Sequence, residues 1–349
     1  MKKLLIILLC LPLIFSTCKK NSISDINSNE PITHTYINHI DSVKTIILDP
    51  IFEKYIIDLG CDDSLDGYVL TAGIDTITSL KINVENINDL TGIENFFNLT
   101  NLDCSGNQLT GLYLAKNINL IDLNCSSNKL IDLDVSGATS LTTLDCNDNN
   151  LTKLDVSNNL YLYWLICYRN NLISLDANGL SKLDSLNCSY NELTSLNVNG
   201  ANNLTWFKCS FNLLKSLNLS TNTALDIAYF EENQLTSLNV RNNTNLTKLF
   251  CHTNQLTSLD VSLNTDLTLL TCRYNQLNSL DVRSNLALTN LYCYNNQLDS
   301  LDVSNNTALT TLHCKNNNLT SLDVRNGNNT NIIFFKCEGN PNLYCVNVD

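Results

Sequence analysis

The sequence has few of the residues that define several common protein classes. Charged residues make up 16% of its 349 positions, and there are only 11 glycines and 4 prolines. The shortage of glycine and proline excludes a collagen-like chain and a Pro/Gly-rich linker protein. A hydrophobic content of 44% also excludes a disordered acidic tail, because that much apolar surface can form a core.

Basic clusters and catalytic motifs are missing as well. The net charge is −13, and an acidic chain without a basic patch is poorly suited to bind nucleic acid or anionic lipid. The sequence contains no H-E-x-x-H, no G-x-S-x-G and no glycine-rich phosphate loop. We therefore expect neither an enzyme nor a cofactor.

Leucine and asparagine are abundant instead, with 63 and 57 copies that together make up about a third of the chain. From Leu99 onward one unit recurs every 21 residues around a central residue, usually cysteine. An earlier unit is centred on Ile82, 22 residues before Cys104, and the last unit follows after 23 residues, so there are thirteen units, numbered coils 1–13. Their central residues are Ile82, Cys104, Cys125, Cys146, Cys167, Cys188, Cys209, Phe230, Cys251, Cys272, Cys293, Cys314 and Cys337.

The repeated pattern L-x-x-L-x-C-x-x-N-x-L-x-x-L-x-V resembles the leucine-rich repeat family, most closely the bacterial internalin-like type with short repeats. Asparagine-rich versions are familiar in envelope proteins of Bacteroidetes-like bacteria. The resemblance implies a β-rich solenoid: a right-handed coil with a parallel sheet on its concave face and an extended or 3₁₀ convex side. It also implies a small helical N-terminal cap over residues 49–76, followed by the repeat domain over 77–349.

The N-terminal segment predicts export. Residues 1–17 have a basic start and an apolar run too short to span a bilayer, as in a signal peptide. The segment Phe15-Ser16-Thr17-Cys18 resembles a bacterial lipobox, although phenylalanine and threonine depart from its usual pattern. The resemblance implies lipidation of Cys18 and a location in the bacterial cell envelope, and a plain secretory signal is the alternative. Residues 18–48 are polar and predict a lipid-anchored flexible tether.

Alternation along each strand predicts which side chains form the core. Leu102 and Cys104 should point inward, while Asp103 and Ser105 point outward. The asparagine three positions after each central residue, such as Asn107, should satisfy backbone groups where the chain turns out of its strand. Eleven cysteines occupy the inward position, and we interpret them as core packing rather than as disulfides or metal ligands.

The outward positions of the sheet are those three before, one before, one after and two after each central residue. Coils 2–4 carry no aromatic residue there, whereas coils 5–12 carry ten in 32 positions, about 31% against 7% for the whole chain. This enrichment predicts a recognition face, since exposed aromatic and arginine residues cluster where partners bind. Its candidate residues are Trp164, Tyr168, Arg169, Tyr190, Trp206, Lys208, Phe211, Tyr229, Phe250, His252, Arg273, Tyr274, Tyr292, Tyr294 and His313.

Three functional readings fit this face. A protein partner suits the mixture of aromatic rings and charges of both signs, in a role such as adhesion or host and envelope interaction. A glycan could stack on the tryptophans and tyrosines. A structural spacer without a specific ligand is the third reading.

Two weaker features complete the sequence. The position nine after each central residue carries a ladder of aspartates and asparagines that either caps the following turn or binds calcium, for which Asp260, Asp281, Asp302 and Asp323 are the candidates. The last coil shows no polar cap, which solenoids normally have. End-to-end self-association is therefore a further hypothesis.

Overall fold

The computed structural model describes residues 43–349. The predicted signal peptide, Cys18 and most of the predicted tether lie outside the described residues. Within the described part, no helix is long and apolar enough to cross a membrane.

The described chain is built mainly from three-residue strands. Two helices, α1 (Pro50–Asp58) and α2 (Thr71–Ile74), lie near its start, and 3₁₀ turns occur at Ile93–Asn95 and Asn329–Asn331. The strands in chain order are β1 Lys44–Ile46, β2 Tyr68–Leu70, β3 Ser79–Lys81, β4 Asn101–Asp103, β5 Asp122–Asn124, β6 Thr143–Asp145, β7 Trp164–Ile166, β8 Ser174–Asp176, β9 Ser185–Asn187, β10 Ser195–Asn197, β11 Trp206–Lys208, β12 Ile227–Tyr229, β13 Lys248–Phe250, β14 Leu269–Thr271, β15 Asn290–Tyr292, β16 Ser300–Asp302, β17 Thr311–His313, β18 Ser321–Asp323, β19 Phe334–Lys336 and β20 Val346–Asn347.

One strand from each of the thirteen coils joins a single parallel sheet, in the order β3-β4-β5-β6-β7-β9-β11-β12-β13-β14-β15-β17-β19. The register is strict, because each inward leucine pairs with its equivalent in the next coil, as Leu102 does with Leu123. The outward side of this sheet is called the concave face below. A parallel solenoid of the predicted leucine-rich repeat type is confirmed.

The opposite, convex side is extended or turned, as predicted. It forms only short parallel pairings, β8 with β10 and β16 with β18 and β20. Elsewhere on that side the chain runs through turns closed by i→i+3 backbone hydrogen bonds, such as Asn159 N to Val156 O at 3.0 Å. Half-repeats this short cannot complete an α-helix, whose nucleation is unfavourable.

The N-terminal cap is more than a helix. Its first strand, β1, lies inside the segment predicted to be a tether, so that boundary was wrong. β1 pairs antiparallel with β2, and this pairing buries Thr45 in β1 while the next residues bury Ile47. Burial of apolar surface and strand pairing offset the entropy of ordering this polar-looking stretch.

Asp49 connects the cap to the first coil. Its Oδ1 accepts hydrogen bonds from the backbone N–H groups of Ile51 and Phe52, at 2.8 and 3.2 Å, and so caps α1. Its Oδ2 accepts from the N–H of Asn88 in coil 1 at 2.8 Å. The ring of Phe52 then stacks on Phe96 with centroids 6.0 Å apart. The cap therefore covers the first coil and closes that end of the core.

The core is a continuous column of leucines and thiols. Cys104 and the nine other buried central cysteines are fully shielded from solvent, as are most inward leucines. Coil 8 differs, because Ala228 and Phe230 replace a leucine and a cysteine. The Phe230 ring packs edge-on against Phe207 of coil 7, with centroids 5.3 Å apart. The small alanine makes room for the large ring, so the core volume is kept.

The asparagines three positions after the central residues hold consecutive coils together. Asn128 donates from Nδ2 to the carbonyl oxygens of Cys104 and Cys125, at 3.0 and 3.1 Å. Its Oδ1 accepts from the N–H of Leu109 in the preceding coil at 3.0 Å. The amide thus bonds to the backbone of two coils rather than to the next asparagine in the stack.

A second asparagine ladder lies on the convex side. Asn222, Asn243, Asn264, Asn285 and Asn306 are fully buried, and each donates from Nδ2 to two carbonyl groups of the preceding coil. The same carbonyl oxygens also accept the i→i+3 backbone bonds of the turns, so the amides bond to their second lone pairs and tie each turn to the next coil. The two ladders explain much of the asparagine content.

The last coil is less covered than the others. Phe335, in the inward position that leucine fills in most coils, is 42% exposed, and Tyr344 is 91% exposed. End-to-end association through this coil stays a prediction.

Candidate binding face

The predicted face consists of two rows that differ in backbone conformation. The positions three before and one before the central residue lie in the strands, as Trp206 and Lys208 do in β11, and form what we call the strand row. The positions one and two after the central residue lie beyond the strands, in the turn, and form the turn row. The prediction that all four positions belong to the sheet was therefore wrong.

The second turn position has a left-handed backbone in coil after coil. Arg169, Tyr190, Phe211 and Tyr274 have φ values between 52° and 54°, a region that residues other than glycine rarely adopt. Glycine occupies this position in coils 2 and 13, as Gly106 and Gly339. Ser127 and Asp148 in coils 3 and 4 have the same conformation, with φ values of 54° and 51°, so the left-handed turn belongs to the repeat as a whole.

In the strand row, aromatic rings of consecutive coils stack on one another. Trp206 meets Tyr229 with centroids 5.6 Å apart, and Tyr229 stacks nearly parallel on Phe250 at 4.5 Å. In the turn row, Tyr190 stacks on Phe211 at 4.3 Å with an interplanar angle of 9°. Rings on adjacent rungs are near the strand spacing, so this contact follows from the register.

A second cluster of rings spans coils 10–12. Tyr294 stacks on the imidazole of His313 at 4.0 Å and meets Tyr274 edge-on at 5.4 Å. His313 also contacts Tyr292 and Phe334, with centroids 6.5 and 5.6 Å away. His313 is consequently buried, although the alternation pattern predicted an exposed side chain.

Cationic side chains lie over these rings. Arg169 lies between Tyr168 and Tyr190, at 5.9 and 5.6 Å, and Lys208 lies 5.3 Å from Tyr229. Trp164, at 48% exposure, is among the more exposed rings of the face. Cations above aromatic faces are attracted by the ring quadrupole.

A hollow of about 350 Å³ opens on the concave face of coils 9–12. Its lining residues are Phe250, His252, Leu269, Thr271, Arg273, Tyr292, Tyr294 and His313. Six of these were predicted from the sequence, and Leu269 and Thr271 were missed. The sequence does contain a signal for Thr271. It is the small residue between Phe250 and Tyr292 in the series of positions just before the central residue.

Both histidines of this hollow are kept neutral. Burial, and then the charge of Arg273, lower the pKa of His252 to about 4. Burial lowers the pKa of His313 as well, followed by the charges of Lys315 and Lys336. Desolvation disfavours the charged imidazolium, and the neighbouring cations act in the same direction.

The column of thiols beneath the face is unsuited to nucleophilic chemistry. Burial raises the pKa of Cys167 and of Cys272 to about 12. The reactive form of a cysteine is the thiolate, so thiols held protonated and out of solvent are inert.

The aspartate ladder caps turns. Every member from residue 134 to 323 accepts a hydrogen bond at Oδ1 from the backbone N–H two residues later, as Asp302 does from Ser304 at 2.9 Å. Arg283 and Arg325 also pair with Asp281 and Asp323, whose pKa values fall to about 2 because of these hydrogen bonds. Among residues 43–349 no group of three or more metal-ligating side chains converges.

Comparison with solved structures finds the same fold in bacterial proteins. The functional domain of InlJ from Listeria monocytogenes, described as including a cysteine ladder, is 32% identical in sequence. The match covers 88% of this chain and 77% of that one, with a TM-score of 0.73. The internalin InlF, also from Listeria monocytogenes, is 23% identical over 87% of this chain and 91% of its own, with a TM-score of 0.69.

A more distant likeness is to the plant peptide hormone receptor RGFR1, solved in complex with RGF2. It is 22% identical over 76% of this chain and 48% of that one, with a TM-score of 0.65. Comparisons of the sequence with protein-family models and with the curated proteins give no match.

Proposed function

Since the chain belongs to the internalin-like type of the leucine-rich repeat family, we propose that it is a non-enzymatic binding protein. It recognises a protein partner through the concave face of coils 5–12, in adhesion or in host or envelope interaction. The solved neighbours support a binding role, and RGFR1 is an example of the fold with a peptide hormone bound.

The observation that carries the proposal is the ring stacking across the rungs of coils 5–12. Trp206, Tyr229 and Phe250 form one apolar ridge, with Lys208 over it. Large aromatic side chains held in place by their neighbours lose little entropy on binding, and they dominate the energetics of protein interfaces.

The same stacking weighs against a glycan ligand. A sugar ring needs the free face of an aromatic side chain, and several faces here are covered by a neighbouring ring at 4.0–4.5 Å. Trp164 is the better candidate for a sugar, because it is half exposed.

Attachment to the cell envelope is part of the proposal and rests on the sequence. A diacylated or triacylated Cys18 would hold the domain at a membrane surface through residues 19–42. Mass spectrometry of the mature protein purified from its native host should detect an acylated N-terminal Cys18, and Cys18→Ser should abolish the modification.

The binding proposal is tested with arrays of purified envelope proteins, purified host surface proteins and glycans. We expect the wild-type chain to bind at least one protein, and the Trp206→Ala/Tyr229→Ala variant to bind it about tenfold more weakly or less. The control variant is Tyr113→Ala/Tyr161→Ala, which removes two rings that are 73% and 63% exposed and lie outside the predicted face.

Each other outcome selects a different reading. Binding to glycans alone would refute the protein partner. No binding on any array would favour the structural spacer. An equal loss in the control variant would show that the partner contacts another surface.

A further inference from the structure

Arg273 is the one arginine of the described chain without a carboxylate partner. The other four, Arg169, Arg241, Arg283 and Arg325, form ion pairs with aspartates at 2.6–3.5 Å. The guanidinium group of Arg273 instead lies between the rings of Tyr274 and Tyr294, at 5.6 and 5.5 Å. This arrangement orients the group on the wall of the hollow and leaves its charge uncompensated.

Three polar atoms around the same hollow also have no hydrogen-bond partner within residues 43–349. They are the hydroxyl of Thr271, Nδ1 of His252 and Nε2 of His313. Thr271 is only 5% exposed and His313 only 8%. Buried polar groups are nearly always satisfied in folded proteins, and an unsatisfied one costs about 1–3 kcal/mol. Three such atoms around one opening give the hollow hydrogen-bonding capacity that no side chain of residues 43–349 uses.

The hollow exists because of its floor. Thr271 in β14 separates Phe250 in β13 from Tyr292 in β15, where a third ring would have closed the row. The walls are aromatic and aliphatic, and the polar atoms lie between them. A short apolar stem that ends in a polar group therefore fits the space.

The donor set defines that polar group. A guanidinium can only donate hydrogen bonds, while a threonine hydroxyl and a neutral imidazole can do so as well. A carboxylate accepts several hydrogen bonds at once and pairs with a guanidinium with favourable geometry. A cationic ligand would face Arg273 directly and be repelled.

No acidic side chain is part of the lining of the hollow. Glu231, one coil before His252, interacts with Ser210 and Lys208; its Oε2 has no hydrogen-bond partner among the described residues, but Glu231 is not part of the lining. Against the larger effects of burial, Lys315 and Lys336, the charge of Glu338 raises the pKa of His313, and Glu338 is not part of the lining either. Within the described residues, the chain does not fill its own hollow with a carboxylate.

We propose that the hollow of coils 9–12 binds the carboxylate of an aspartate or glutamate side chain of the partner, paired with Arg273 and hydrogen-bonded to Thr271 and His252. This inference rests on the proposed function, because it names the group by which a protein partner is anchored. It also implies that this chain, whose net charge is −13, binds an acidic side chain of the partner despite the unfavourable overall electrostatic repulsion.

The experiment uses the full chain and two small probes, N-acetyl-glutamate N-methylamide and the matching glutamine derivative. NMR signals of His252 and His313 report their binding at neutral pH. We expect saturable shifts at millimolar concentration with glutamate, and affinity at least tenfold lower with glutamine. Comparison of the two probes on the wild-type chain does not depend on any variant folding.

Variants then assign the contacts. Arg273→Gln should weaken glutamate binding about tenfold or more, and Thr271→Val should weaken it less while keeping the side-chain volume. Arg283→Gln is the matched control, because it removes an equal charge that pairs with Asp281 outside the hollow. Its affinity should be unchanged.

Several results would overturn the inference. Equal affinity for both probes would show that the hollow does not select a carboxylate. An equal loss in Arg283→Gln would show that only net charge matters. Tenfold tighter binding of inorganic phosphate or of glucuronate would assign the hollow to another anion.

The two proposals can fail separately. If the glutamate probe binds but no array protein does, the protein partner is refuted and the carboxylate site stands. If a partner is found that Trp206→Ala/Tyr229→Ala weakens and Arg273→Gln does not, the carboxylate site is refuted and the binding function stands.

Discussion

Coils 2–4 and coils 5–12 share one sheet, one core and one asparagine ladder, yet their concave faces differ. In coils 2–4 the outward side chains are short and polar, and most of their hydrogen bonds lie within one coil, although Asn101 donates to Asp122 in the next coil. Asp103 accepts from the backbone N–H and the hydroxyl of Ser105, and Asn124 does the same with Ser126. In coils 5–12 the outward rings contact their counterparts in the next coil instead.

This difference separates what the fold requires from what it permits. Apart from Phe207, Ala228 and Phe230 in coils 7 and 8, the inward leucines, the thiols and the turn asparagines recur in both regions, so packing and backbone hydrogen bonding account for them. Polar and aromatic residues are both compatible with the outward positions. The aromatic rows are therefore not needed to build the solenoid, and the binding role proposed above accounts for their presence.

The largest effect should be identical in the two regions. Asn128→Ala in coil 3 and Asn254→Ala in coil 9 each remove a side chain that satisfies at least two buried carbonyls and one N–H. We expect each to lower the free energy of unfolding by about 3 kcal/mol, measured by urea denaturation. Exposed Asn150→Ala is the control. A large loss in one region only would show that the ladder is not a uniform support.

Replacing thiols should have a smaller effect, again without regional preference. Cys125→Ser in coil 3 and Cys272→Ser in coil 10 place a hydroxyl in the leucine core, at a cost of about 2 kcal/mol. In the native wild-type chain, iodoacetamide should modify the exposed Cys345 and leave the ten buried cysteines intact until the protein unfolds. Rapid modification of a buried cysteine in native protein would contradict the packed core.

Glycine at the left-handed turn position should act with opposite sign in the two regions. Ser127→Gly in coil 3 relieves a φ of 54°, and we expect a gain of about 0.5 kcal/mol. Tyr190→Gly in coil 6 relieves a similar strain but loses the stack on Phe211, for a net loss of about 0.5 kcal/mol. Thermal denaturation measures both. An equal gain in both variants would show that the ring stack contributes nothing to stability.

The smallest effect should be a pH dependence confined to the aromatic region. The folded pKa of His252, about 4, lies below the ordinary value of 6.5, so the unfolded chain binds more protons between these values. Stability should therefore fall as pH decreases from 7 to 5, and His252→Gln should show a shallower fall in melting temperature. The same pH dependence of the melting temperature in the wild-type protein and in His252→Gln would mean that the pKa of His252 is not lowered in the folded state.

Much of this fold could be predicted because the sequence repeats one local solution. The same pattern of leucine at fixed spacing, asparagine at the turn and a short strand occurs in nearly every coil. The solenoid and its core could therefore be predicted from the sequence. The start of the cap at Lys44 could not be predicted, because β1 has no counterpart in the repeat. Its partner among the described residues, β2, lies 22 or more residues away.

The binding face was predictable only as a set of positions. The enrichment of aromatic residues at the outward positions identified Trp206, Tyr229 and the neighbouring Arg273. The sequence analysis, however, treated strand and turn positions as equivalent. The left-handed turn and the burial of His313 depend on backbone geometry and on rings from neighbouring coils. The hollow was invisible for the same reason, since Thr271 matters only through what it leaves unfilled.

The strict 21-residue register has a consequence at the level of the gene. Because most coils offer the same carbonyls and the same inward leucine to the next, an in-frame loss or gain of a whole repeat away from coils 7 and 8 rejoins the ladders without a mismatched contact. Recombination between repeats can therefore lengthen or shorten the aromatic region while the caps and the core stay intact. A change in the number of repeats can therefore alter the length of the candidate binding face in one genetic step, whereas point mutations would alter it one residue at a time.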